Sequence, residues 1–516
     1  MVCARGASPG AVKRSPSNSL RSARNAPKRR RRTRSTNVAF WQLPKWRAFT
    51  AIAATYITIV FATSFAFLAL PAIADDFEVT LRTVGWVVII ESLLIAALLL
   101  PLGGLADLLG DKRVLSIGIA IFGLGTLLTG LSPTFFTLIC ARVVMAIGNA
   151  FVQSVATGMV VAVFPDHERG LAMGAQTAAV AVGSASAPLL GGLGLEFFSW
   201  NTIFLLLLLP TGGCLLAAQF LVPDHQLRET DKGRTFDVRG SVLSALAITA
   251  VVVTINNPFS LDWLSPGTIG GALAAVGLLT LFIRWELRTE DPMLELRLFS
   301  VSVFRTAVVL RVLGFLASTT TMLLLPVYLL SFREVSAVAA GAIIAAAAIG
   351  LGVGAQISGR MYDRVGPRLP ARLGFALQVA TALGFAFSTD ATPLLLIGIA
   401  AGLGGVAIGL WNVPNNSAML GATPPAFLGV GGAFSNLTRT FGSVMGQALA
   451  AAVVAEVMAS RGFDIPLGEL VDNPEAGRAF NDGWRVAYLL AAGLSAALLV
   501  IAARLPTESR LTNPEP

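Results

Sequence analysis

Long apolar runs separated by short polar connections recur from residue 48 to residue 503. Cut at charges, prolines and glycine clusters, they predict fourteen helices, near 48–70, 83–104, 113–131, 135–162, 170–194, 200–222, 238–256, 267–286, 302–330, 336–357, 370–388, 391–415, 427–457 and 484–503. Runs of about 20 residues match the ~30 Å of hydrocarbon in a bilayer. Only 13% of the 516 residues are charged, against about 25% in an ordinary soluble protein. The pattern is that of an all-α polytopic membrane protein.

Charge sharpens this picture once it is divided along the chain. Residues 1–47 hold 13 of the 38 Lys and Arg and no acid, leaving 25 bases against 29 acids elsewhere. Lys28, Arg29, Arg30, Arg31, Arg32 and Arg34 lie in Ser-, Pro- and Ala-rich sequence without an apolar face, so residues 1–47 are expected to be a disordered cytoplasmic tail. Such a tail before a first membrane helix contacts anionic lipid; nucleic acid is not expected as a partner. With the tail inside, and bases within a few residues of a helix end counted with the adjoining side, the inside segments carry 30 Lys and Arg, the outside loops 5 and the helix interiors 3. Both termini are therefore expected in the cytoplasm, with the protein multi-pass in the cell (inner or plasma) membrane. No short apolar segment with a cleavage site follows the charged start, so no signal peptide is expected. The outside loop 458–483 carries Asp464, Glu469, Asp472, Glu475 and Asp482 and is expected to be a solvated flap.

Little conventional catalytic chemistry is on offer. Cys3, Cys140 and Cys214 are too scattered for a disulfide framework, and His167 and His225 fall in loops, so no metal site is suggested. Each of the five lysines follows Val, Pro or Asp, which excludes the Gly-Lys pair of a phosphate-binding loop. No cofactor and no enzymatic activity are expected.

An internal repeat organises the chain. Gly103, Asp107, Gly110 and Lys112 recur as Gly359, Asp363, Gly366 and Arg368, each displaced by 256 residues. Both copies follow the second helix of a six-helix set, which implies two homologous halves of the kind that rock about a central site. The predicted units are a bundle over 48–222, a linker over 223–301 with two additional helices, a bundle over 302–504 and a cytoplasmic tail over 505–516.

These segments resemble the major facilitator superfamily, and more narrowly its fourteen-helix drug:proton antiporter family of multidrug efflux type. Gly103-Gly-Leu-Ala-Asp107-Leu-Leu-Gly110-Asp-Lys112-Arg113 is similar to that superfamily's signature between helices 2 and 3, and Gly359-Arg-Met-Tyr-Asp363-Arg364-Val-Gly366-Pro-Arg368 to its second-half copy. Arg142, Gly148 and Ala150 match a fourth-helix motif, with Met145 and Ala146 departing from its usual Gln and Gly. Gly183, Pro188, Gly191 and Gly192 resemble the antiporter-type motif of the fifth helix, with Ala187 in place of a usual Gly. Phe236-Asp-Val-Arg-Gly240 and Asp291 to Phe299 resemble the flanks of the extra helix pair. The resemblance, over roughly 48–504, implies two six-helix bundles plus two central helices and proton-coupled export of small amphipathic compounds or drugs. One departure stands out, because the acidic residue usual in the family's first helix falls on Ala62.

Each motif has a physical reading. The short, glycine-rich, charged signature lets helices 2 and 3 turn sharply while Asp107 pairs with a base or meets a helix N-terminus across the bundle interface, a conformational latch whose second copy carries Asp363. Gly183, Pro188, Gly191 and Gly192 remove bulk and one backbone donor from helix 5, which implies close packing and a hinge near Pro188, and Gly442 and Gly446 imply close packing of helix 13. Arg142, Asn149 and Gln153, spaced by seven and four, share one face of helix 4. A charge at mid-membrane costs about 2.5–3.5 kcal/mol, so that face is expected to line a cavity. Arg311 and Arg439 are candidates by the same rule. Asn412, Asn415 and Asn416 either line an inner vestibule or cap helix 12, and Phe61, Phe65 and Trp411 are either a stacking wall for substrate or plain core.

The proton-coupling candidate is Glu91 with Arg142. Both enter from outside at a similar depth, about 12 Å for Glu91 at 1.5 Å per residue, so the two can pair. Burial favours a neutral carboxyl and a nearby guanidinium a charged one, so moving Arg142 or admitting water would switch the group. The alternative is a permanent ion pair. Expected partners are a small-molecule substrate, protons and membrane lipids. Two other functions remain open: an uncoupled or differently coupled exporter of a lipid or metabolite, and a non-transporting membrane sensor or scaffold.

Overall fold

The computed structural model describes residues 44–79, 81–165, 168–222, 236–256, 265–289, 292, 294–424, 427–463 and 474–507. The basic run 28–34, Cys3, His167, His225, Asp291, Asp464, Glu469 and Asp472 lie outside them. Among the described residues, fourteen helices are long and apolar enough to cross a membrane. They are α1 (Lys45–Asp76), α2 (Trp86–Leu109), α3 (Asp111–Gly130), α4 (Phe135–Val163), α5 (Arg169–Leu195), α6 (Trp200–Leu221), α7 (Val238–Ile255), α8 (Pro266–Glu286), α9 (Ser302–Phe332), α10 (Ala339–Val365), α11 (Arg368–Ala386), α12 (Leu394–Gly421), α13 (Val430–Ser460) and α14 (Glu475–Arg504).

Local chemistry sets several of the ends. Thr134 caps α4 by accepting from the Thr137 amide, and Thr137 returns the bond. Ser265 caps α8 ahead of Pro266, whose missing N–H costs nothing in a first turn. Gly110 and Gly366 adopt φ of 88° and 74°, the left-handed turns that let α2 reverse into α3 and α10 into α11 within one or two residues.

One apolar core is shared by helices of α1 to α6 and reaches Ala355 of α10 and Val413 and Leu420 of α12; another is shared by α9 to α14. A third joins α2 and α4 to α7, α8, α9, α12 and α13. Across the two sets α5 packs along α10, and α2 packs along α13. These pairs correspond under the 256-residue repeat. The additional hairpin α7–α8 lies against α2. Its base is pinned by Asp237, whose carboxylate accepts from Trp285 Nε1 at 2.9–3.0 Å and from the Gly240 amide at 2.8 Å.

Helix ends differ from the apolar boundaries. α2 runs on to Leu109, α10 to Val365 and α12 to Gly421, while α14 starts at Glu475. The latch signature is therefore mostly the last turns of α2 and α10, with a loop of one or two residues. Glu475 and Asp482 sit on α14 rather than in a flap, and Asp482 pairs with Arg461 at 2.8 Å. Apolarity measures what can sit in lipid, whereas the i to i−4 hydrogen bonds of a helix continue into water wherever no Pro or Gly stops them.

Candidate functional site

The face of α4 that carries Arg142, Asn149 and Gln153 is buried and meets Glu91 of α2. Glu91 is 1% exposed and Arg142 fully buried. Glu91 Oε2 accepts from Arg142 Nη2; Oε1 accepts from Asn149 Nδ2 at 3.0 Å and from Thr63 Oγ1 of α1 at 2.6 Å. The guanidinium also donates to the Val87 carbonyl at 3.4 Å and to Met145 Sδ at 3.1 Å, and lies over the Phe204 ring. Met145, the departure from the fourth-helix motif, is thus part of the arginine's coordination. A charge pair this deep is stable only because several hydrogen bonds replace lost water.

The polar row continues to the other bundle. Asn149 Oδ1 accepts from Gln153 Nε2 at 2.8 Å, and Gln153 Oε1 accepts from Arg439 Nη2 of α13 at 2.9 Å. Asn436 Nδ2 donates to the Gln153 carbonyl at 2.7 Å and to Thr157 Oγ1 at 3.3 Å. Arg439 therefore meets a side-chain amide of α4 rather than helix carbonyls. Arg311 of α9, 2% exposed, donates to Asn412 Oδ1 at 2.7 Å, to the Ser435 carbonyl at 3.0 Å and to Thr438 Oγ1 at 3.3 Å. Asn412, Asn415 and Asn416 lie within α12 and cap nothing, and Asn416 accepts from Ser435 Oγ at 2.5 Å.

At the far end of α10, Asp363 Oδ1 and Oδ2 accept from the backbone amides of Gly170 and Leu171 at 2.8 and 2.9 Å. A carboxylate thus sits on the positive N-terminus of α5 across the bundle interface. The contact needs glycine on both sides: a Cβ on Gly359 would lie 2.3 Å from the Gly170 oxygen, and one on Gly170 2.5 Å from that of Gly359. Asp107 takes the corresponding place on α2, which packs on α13. Lys112 and Arg113 lie in the first turn of α3, Arg364 is exposed at the end of α10, and Arg368 opens α11. Beside Asp363 a cavity of about 560 Å³ is lined by Trp46, Leu171, Gln356, Arg360 and Arg364.

Residues 187–191 of α5 form a π-helical turn around Pro188, a local widening of the helix. Gly183 and Gly191 abut α1, where added Cβ atoms would lie 2.9 Å from the Ile57 oxygen and 2.6 Å from the Phe65 ring. Gly192 faces open space, so of the motif's glycines it plays no part in this contact. Gly442 and Gly446 bring α13 against α9, with Cβ positions 2.4 and 2.3 Å from the Val312 and Leu316 oxygens.

A family model, the Major Facilitator Superfamily, matches residues 52–447. The chain belongs to that superfamily. It is a multi-pass membrane transporter of small molecules, not an enzyme. Among curated relatives it is 29% identical over 391 residues to the riboflavin transporter RibZ of Clostridioides difficile, covering 75% of this chain and 84% of the relative. It is 29% identical over 390 residues to the multidrug resistance protein Stp of Mycobacterium tuberculosis, covering 75% and 72%. In fold it resembles the crystal structure of the human organic anion transporter MFSD10, with a TM-score of 0.63, 15% identity, and coverage of 88% of this chain and all of that one.

Trp411 of the transporter is a core residue rather than a cavity wall. It is fully buried, stacks on Phe375 with centroids 5.2 Å apart, meets Phe315 edge-on and donates from Nε1 to Gln378 Oε1 at 2.6 Å. Phe65 is likewise buried, against Gly191 and Phe204. Polar partners not singled out from sequence include Thr63, Thr157, Gln378, Ser435, Asn436 and Thr438. Asn436 carried a signal, since it lies three residues before Arg439 and so on the same helix face.

Proposed function

We propose that the transporter exports small amphipathic compounds, drugs among them, in exchange for protons, by alternating access between bundles 48–222 and 302–504 with both termini cytoplasmic. One observation carries this reading: Glu91 connects through Asn149 and Gln153 to Arg439 on the opposite bundle. A proton gained at Glu91 weakens the hold of Arg142 and Asn149 and loosens a chain that ends in an inter-bundle contact. Thr63, which donates to Glu91, is the residue after Ala62 on α1, so α1 still takes part in the acid's hydrogen bonding. Asp363 on the N-terminus of α5 is the latch that holds one conformation. The drug-resistance name of Stp supports export of foreign compounds, and RibZ supports an amphipathic ring system.

A second reading rests on how completely Glu91 is satisfied. Thr63, Arg142 and Asn149 all donate to it, the arrangement of a permanent ion pair, as in an uncoupled exporter of a metabolite or lipid. Transport into inverted vesicles separates the two. Glu91→Gln should abolish uphill transport driven by a pH gradient while retaining downhill exchange. Unchanged pH-driven uphill transport in that variant refutes proton coupling at Glu91.

A further inference from the structure

The polar centre holds one carboxylate and three guanidiniums: Glu91, Arg142, Arg311 and Arg439. Glu91 and Arg142 neutralise each other. Arg311 and Arg439 have no carboxylate partner among the described residues, and every atom they donate to is a neutral oxygen. They are like charges on the α9–α13 seam, Arg439 being the residue after Thr438, which accepts from Arg311 Nε at 3.3 Å. Two neighbouring cations inside a membrane protein without a counter-charge are costly, and an anion between them removes both the repulsion and the missing pairing.

Their donor capacity points the same way. A guanidinium has five N–H donors in a fixed fork that matches the two oxygens of a carboxylate, sulfonate or phosphate. Arg311 commits three of them, one each to Asn412, Ser435 and Thr438. Arg439 commits one, to Gln153. Arg439 is half-buried, the less enclosed of the two arginines.

We propose that the transported compound carries an acidic group, a carboxylate, sulfonate or phosphate, held between Arg311 and Arg439. This rests on the reading of the chain as an exporter and names its substrate class. The site touches both bundles, because Arg439 also holds Gln153 of α4. An anion that draws Arg439 away releases Gln153, which in turn holds Asn149 and through it Glu91. Substrate and proton would thereby act on one hydrogen-bonded row from its two ends.

The test uses the full-length protein in lipid nanodiscs without any ion gradient, so that it reads binding independently of proton coupling. The probes are a xanthene dye with a free carboxylate, the methyl ester of the same dye, and a quaternary-ammonium dye of similar size. The carboxylate dye is expected to bind best, and Arg439→Gln to raise its Kd at least about tenfold, the worth of one charge-assisted hydrogen bond, without changing the ester's. Arg439→Lys should restore part of the loss. Because a variant can misfold, the wild-type protein supplies a second readout: phenylglyoxal modification of Arg439, followed by mass spectrometry, should be slowed by the carboxylate dye and not by the ester. Absence of binding by the carboxylate dye at millimolar concentration, equal or better binding by the ester or the cation, or no protection of Arg439 overturns the proposal. A failure of proton coupling would instead show only in vesicles, as transport indifferent to the pH gradient.

Discussion

Removing the Asp363 carboxylate should unlatch the bundles without unfolding them. In Asp363→Ala the amides of Gly170 and Leu171 lose acceptors now at 2.8 and 2.9 Å. A hydrogen bond to a charged group contributes about 1.5–3 kcal/mol. Asp363 is only partly buried, so the low end applies, about 3 kcal/mol for the two bonds together. That corresponds to roughly a 150-fold change in the ratio of latched to unlatched states. Neither bundle loses core, since the apolar clusters of α1 to α6 and of α9 to α14 do not include this carboxylate. The measurement is a distance distribution between spin labels at Leu109→Cys and Leu369→Cys, both exposed sites at the ends of α2 and α11, in a background without Cys3, Cys140 and Cys214. A longer-distance population should grow at least about tenfold while the thermal unfolding midpoint stays within a few degrees and transport slows. Gly359→Ala should act in the same direction, because its Cβ would enter the space of the Gly170 oxygen at 2.3 Å. Wild-type distances and a normal transport rate in a well-expressed Asp107→Ala/Asp363→Ala double variant would refute the latch.

Arg142→Ala should lower stability by about 3–5 kcal/mol, because it strands the buried Glu91, whereas Glu91→Gln/Arg142→Gln should recover most of that loss in thermal unfolding; equal losses in the single and double variants would contradict this. Trp411→Phe keeps the stack on Phe375 but removes the bond to Gln378, so it should destabilise by about 1–3 kcal/mol with substrate affinity unchanged. A clear loss of affinity there would place Trp411 at the substrate. Deleting residues 1–37 should leave transport intact, since Lys45 and Arg47 still mark the inner side; lost activity at normal membrane abundance would assign the tail a recruiting role.

Much of this protein is decided by features that a linear chain carries. Crossing a bilayer demands about 20 apolar residues and a self-satisfied backbone, so fourteen spans can be counted without knowing what they touch. Helical periodicity placed Arg142, Asn149 and Gln153 on one face, and equal depth brought Glu91 to Arg142. The 256-residue repeat located Asp107 and Asp363 at equivalent ends of α2 and α10, because homologous halves keep equivalent positions equivalent.

Other features exist only once helices have met. Helix ends were misplaced wherever polar residues continue a helix past the lipid, as with Asp107 and Asp363, because backbone hydrogen bonding and apolarity stop at different places. Whether Trp411 faces substrate or core depends on Phe375, Phe315 and Gln378, which lie on other helices and arrive by packing. The widening at Pro188 depends on the local backbone answering to α1 through Gly183 and Gly191. Above all, the row from Glu91 to Arg439 joins residues 348 positions apart, and Thr63 and Asn436 enter it by proximity alone. Local sequence fixes which face of a helix is polar, because the period is set by the backbone; which polar face it meets is set by the shapes of all the neighbours at once.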